Sequence, residues 1–164
     1  MAEITAHDVR ARILTLLSEG VEGPPARQSY FTDAGPAGGM VATLNGVDAA
    51  EASRPVGGSS IAQHVFHTGF ALEVATSFMR GENRSWDWKA SWATQVVDEP
   101  GWAAMKERLV SGYRRFRRVI EERALTSPEA ASEAIGQVAH VAYHLGAIRQ
   151  KIAVLRDGPR GTAD

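Results

Sequence analysis

The stretch opened by Ser127-Pro128-Glu129 narrows the folds open to this chain more than any other feature. Serine caps a helix, proline suits its first turn and an acid suits its positive end, and the helical pattern then continues to about Leu155, before Gly158-Pro159. A helix that long needs partners, and three further helical stretches supply them. The first covers about Ala6 to Glu19, with Thr5 and Asp8 spaced as a capping box, an apolar stripe of Val9, Ile13, Leu16 and Leu17, and Gly20 as a stop. The second starts behind Ser59 or Ser60 and runs to about Arg80, closed by Gly81, with Ile61, Val65, Leu72, Val74 and Phe78 as its apolar positions. The third spans about Pro100 to Ala124. Met40 to Leu44 and Asp48 to Ala52 read as short helical pieces that end before Arg54-Pro55. No stretch has the period-two, β-branched alternation of a strand. The expectation is an all-α four-helix bundle with a long irregular loop, about Val21 to Gly39, after the first helix.

With 164 residues, 44% of them hydrophobic, the chain has the apolar material for a single domain covering 1–164. A disordered chain is excluded. The longest apolar runs fall far short of the ~18 residues of a membrane span, and the N-terminus has neither the basic nor the apolar region of a secretory signal, so a cytoplasmic location is expected. Cysteine is absent, which removes disulfides, a cysteine nucleophile, iron–sulfur ligation and zinc ribbons together. A metal would have to be held by histidines and carboxylates. The 18 Lys+Arg against 19 Asp+Glu, a net charge of −1, give no general attraction to nucleic acid or anionic lipid.

Of the five histidines, four fall in two clusters: His64 with His67, and His140 with His144. His140 and His144 are one helical turn apart, a spacing that lets two ring nitrogens meet one ion. Gly136 and Ala147 lie along nearly the same line and leave room beside them. Val141 follows His140 where a zincin would have glutamate, so a protease of that type is not indicated. The pair alone equally fits two partly buried imidazoles bonded to neighbours. The second cluster changes the weighing, because His64 or His67 can supply a third nitrogen from another helix. Three histidines leave coordination positions open, as a site that binds water or substrate requires.

The segment Ser60-Ile-Ala-Gln-His-Val-Phe-His67, together with His140-Val-Ala-Tyr-His144-Leu-Gly-Ala-Ile-Arg-Gln150, resembles the DinB/YfiT-like putative metalloprotein superfamily. Val41-Ala-Thr-Leu-Asn-Gly-Val-Asp-Ala-Ala-Glu-Ala-Ser-Arg-Pro55 resembles the stretch that precedes the second helix there, so the likeness covers most of the chain. It implies a four-helix bundle holding a divalent ion on His67, His140 and His144, with His64 dispensable for ligation. Three imidazoles suit Zn, Ni and Fe alike. The resemblance further implies a metal-dependent transferase or isomerase acting on a small molecule, with a low-molecular-weight thiol as the activated partner. The alternative is a metal- or small-molecule-binding bundle without turnover. No residue is assigned a catalytic role.

Tyr113-Arg-Arg-Phe-Arg-Arg118 interleaves basic and aromatic residues, but Leu109, Gly112, Phe116, Val119 and Ile120 take one helix face and the arginines the other. A solvated face is expected there, and no nucleic-acid partner. The tryptophans of Trp86-Asp-Trp88-Lys-Ala-Ser-Trp92 are expected to seal the bundle end or form a dimer contact rather than stack on a ligand, and the chain is expected to be a homodimer. Arg149 and Gln150 point away from the histidine line, toward a bundle-surface or subunit contact. If the loop around Tyr30 and Asp33 folds over the bundle end, those two residues would face a substrate; otherwise it is a solvent-exposed connection.

Overall fold

A computed structural model describes residues 3–24, 28–123, 125 and 127–157. Among these residues six α-helices carry the fold: α1 (Ala6–Val21), α2 (Met40–Asn45), α3 (Ala49–Ser53), α4 (Ile61–Met79), α5 (Glu99–Glu122) and α6 (Pro128–Asp157). Single 3-10 turns occur at Pro36–Gly38 and Ala90–Trp92. Among the described residues there is no strand, only an isolated bridge between Val56 and Ser59, and no helix is long and apolar enough to cross a membrane.

The helix starts follow from their caps. Thr5 and Asp8 form a reciprocal capping box at α1, Ser60 and Gln63 form another at α4, and the Asp98 side chain accepts from the Gly101 N–H at α5. Ser127 caps α6 by accepting from the Ala130 N–H at 3.1 Å. The expected ends at Ala124 and Gly158-Pro159 lie outside the described residues, as does Pro25 in the loop.

The stop expected at Gly20 is not observed, since α1 continues to Val21. Gly20 instead serves close packing: a Cβ there would sit 2.8 Å from Cγ1 of Val141 on α6. Between α1 and α2 the described residues form only the Pro36–Gly38 turn, and they are gathered by one buried carboxylate. Glu19 accepts hydrogen bonds from the backbone N–H groups of Tyr30, Phe31 and Thr32, each at 2.9 Å to Oε1.

Helix α4 packs on α5 and α6, and α1 packs on the same two helices. The four longest helices therefore close a ring of contacts. α4 is buried on nearly all sides, with Ile61, Val65, Leu72 and Ala75 in the core. α5 is one-sided: Trp102, Leu109, Tyr113, Phe116 and Ile120 are buried, while Arg114, Arg115 and Arg118 are exposed. Arg117 pairs with Glu121 at 2.8 Å and Arg115 with Glu73 at 3.2 Å, so the basic run is the solvated, partly paired face expected of it.

Candidate metal centre

A helix buried as thoroughly as α4 must find partners for its polar side chains, and at its first two turns those partners are a 3-10 turn and α6. Gln63 donates to the carbonyl of Trp92 at 2.6 Å, tying the start of α4 to the Ala90–Trp92 turn. One turn on, His64 and His67 face His140 and His144. The donor atoms of His67, His140 and His144 lie within 4.8 Å of one another, and His67 and His144 are buried. His64 stands outside this group of three.

The protons in the cluster can be followed from the hydrogen bonds. Ser91 Oγ donates to the Trp88 carbonyl at 2.6 Å. Having only one proton, it accepts from His67 Nδ1 at 2.7 Å. His67 is thus held as the Nδ1–H tautomer, with the Nε2 lone pair free. His144 Nε2 lies 3.0 Å from His140 Nε2, and His144 Nδ1 lies 2.8 Å from His64 Nδ1. His64 Nε2 in turn lies 3.0 Å from Ser59 Oγ. A proton on His144 Nδ1, donated to His64, and one on His64 Nε2, donated to Ser59, satisfy both contacts and leave His144 Nε2 as a lone pair. His64 is then the group that orients His144.

The donor set fits a divalent ion. Two imidazole nitrogens on a tetrahedral zinc sit ~3.3 Å apart, close to the His140–His144 separation. The buried Nδ1 of His140 has no hydrogen-bond partner among the described residues. Burial also keeps the rings neutral and therefore able to ligate. It pushes His144 down to about 2, helped by the charges His140, His64 and His67 would carry, and His140 down to about 4, helped by His67. His64 is lowered to about 4 by burial, then by Lys151 and His67, and burial lowers His67 as well.

Sequence reasoning missed the residues around the donors. Trp92 stacks on His67, with ring centroids 4.2 Å apart, and presents its edge to His64 at 5.3 Å. One ring of the tryptophan segment therefore walls the histidine cluster. Trp88 lies 6.0 Å from the His67 ring. The clustering of tryptophans was a signal for Trp92, whereas Ser59 was legible only as a candidate helix cap and nothing in the sequence singles out Ser91. Of the residues expected to border the site, Gly136 lines a cavity that reaches His140. Tyr30 is exposed and Asp33 pairs with Arg149 at 3.1 Å, so neither is placed on that cavity. Arg149 also donates to the Gly38 carbonyl at 2.7 Å, which makes it an internal tie between α6 and the loop.

Compared with family models, curated proteins and solved structures, the chain matches none.

Proposed function

We propose that this protein is a DinB-like four-helix bundle that binds one divalent metal ion through His67, His140 and His144, and that the centre serves a metal-dependent transfer or isomerisation on a small molecule. The convergence of those three donors within 4.8 Å carries the reading. It is supported by the Ser91 bond that frees His67 Nε2 and by the His64 bond that orients His144. An ion held by three imidazoles keeps open positions and lowers the pKa of a water or thiol that joins it. Because the chain has no cysteine, the thiol in such a reaction is a separate small molecule. The protein's own part is to hold the donors neutral, to wall one side with Trp92, and to admit the substrate from the cavity at His140.

Cobalt titration followed by visible absorption tests this reading. One ion per chain is expected, and removing any of the three imidazoles by substitution with alanine should cut occupancy steeply. His64→Ala should retain the ion with affinity lowered roughly 10- to 100-fold, as for an orienting partner. A new charge-transfer band on adding a small thiol would support thiol activation. A site that His64→Ala empties and His67→Ala leaves filled would reassign the ligand on α4, and indifference to both His140→Ala and His144→Ala would overturn the metal centre.

A further inference from the structure

His144 is supported from a side that the three metal donors do not use. The bond from its Nδ1 to His64 leads on to Ser59, and Ser59 closes a two-residue turn with Val56. The Val56 N–H donates to the Ser59 carbonyl at 2.9 Å, and the Ser59 N–H returns a longer bond to the Val56 carbonyl at 3.4 Å. Between them Gly57 and Gly58 have φ of 59° and 86°. Both lie in the left-handed region, which a turn this tight requires and which glycine enters freely. The turn therefore holds Ser59 in one place.

Lys151 grips the other end of that turn. Its ammonium donates to the Val56 carbonyl, and the residue is buried, with a relative exposure of 8%. A lysine seldom lies so far from water, because its charge loses hydration there, and burial lowers its pKa accordingly. Lys151 follows His144 by seven residues on α6, so it stands two turns on, on nearly the same face and about 10.5 Å along the axis. The bonds thus run from α6 at Lys151 to Val56, across the turn to Ser59, on to His64 of α4, and back to α6 at His144. This closed circuit ties α6 to the start of α4 at two points, and these are the helices that bring the three donors together.

We propose that Lys151 is a positioning residue for the metal centre. By fixing the turn it keeps Ser59 Oγ where His64 Nε2 can donate to it, so that His144 keeps its proton on Nδ1, toward His64, and its Nε2 lone pair toward the ion. Lys151 is not one of the three donors and acts through Ser59 and His64. Its effect on an ion rests on the metal reading above. Its effect on the His144 tautomer does not, because the bonds that set that tautomer are made within the protein.

Two readouts on the whole chain test this. Cobalt affinity should fall about tenfold in Lys151→Met, which keeps a buried aliphatic stem and removes the donor, and by a similar factor in Ser59→Ala. In a His64→Ala background, Lys151→Met should change affinity by less than about twofold, because its route to His144 is already cut. A lysine that only stabilised the fold would weaken binding equally in both backgrounds. Nitrogen-15 NMR of the imidazole rings in the metal-free protein should show a single tautomer for His64 and for His144 in the wild type, and a mixture in Lys151→Met. Unchanged cobalt affinity in Lys151→Met, an equal loss with and without His64, or unchanged ring tautomers overturns the proposal and leaves a cobalt-binding centre of three histidines standing. If the wild type takes up no cobalt, the metal centre is lost and the rings decide alone: tautomers that mix in Lys151→Met keep the role of the lysine, and tautomers that do not overturn it.

Discussion

An imidazole in water titrates near pH 6.5, and burial holds the histidines of this cluster below that, His64 and His140 at about 4. The unfolded chain therefore takes up protons at a pH where the folded chain does not, and between about 6.5 and about 4 the unfolded state binds more of them. Stability rises with pH across that window. The metal-free protein is expected to be fully stable above pH 6.5 and to weaken progressively as pH falls toward 4, read as a falling urea midpoint. A midpoint that stays level through the window would show that the cluster is not buried neutral. Metal release should follow the same direction, since protons compete for the ligating lone pairs. Ser91 offers a sharper residue-level test. Ser91→Ala removes the acceptor that holds His67 in its Nδ1–H form, and cobalt affinity should drop roughly 10- to 100-fold while all three ligands remain. Unchanged affinity would mean that Trp92 stacking alone positions the ring.

Among the elements, the described part of the connection between α1 and α2 is tied to α1 by the Glu19 carboxylate. Burial alone would raise this carboxyl's pKa, but the N–H groups of Phe31 and Thr32, the Ser29 hydroxyl and the N–H of Tyr30 outweigh it and hold the group below the ordinary carboxylate value. The stability it contributes is thus present above about pH 4.5 and lost as pH falls through the lowered value. Glu19→Gln should destabilise the protein by about 1.5–3 kcal/mol at pH 7 in urea unfolding, because an amide cannot accept the same set of donors. A loss below about 0.5 kcal/mol, the scatter of ordinary surface changes, would mean that the loop holds itself. The helix starts were legible because caps act over three or four residues, as Thr5-Asp8, Ser60-Gln63 and Ser127 do. Gly20 was misread for the complementary reason. A glycine that ends a helix and one that lets two helices touch look alike until Val141 is seen opposite.

At the level of the whole molecule, the homodimer expected from the sequence has a surface available to it. On α6 the exposed positions Ile135, Ala139, Tyr143, Gly146 and Gln150 recur every three or four residues, with Tyr143 at 67% exposure and Ile135 at 53%. Small residues between large apolar ones suit a close helix–helix approach. Light scattering at micromolar concentration should give the mass of two chains, and Tyr143→Asp should shift it to one; a monomeric wild type would refute the dimer.

The sequence by itself determined what is local or periodic. It specified helices without strands, most helix starts, the arginine face of α5, and the pairing of His140 with His144 one turn apart. Backbone hydrogen bonds, caps and 3.6-residue periodicity act within a few positions, so they can be read along the chain. Tertiary structure decided which side of α4 meets α6, and hence that His67 joins the group of three while His64 takes the Nδ1 side of His144. It also brought Ser91 and Trp92 against the cluster from another segment. Those outcomes depend on how helices far apart in sequence rotate and close on one another, and side-chain packing across the whole core sets that rotation.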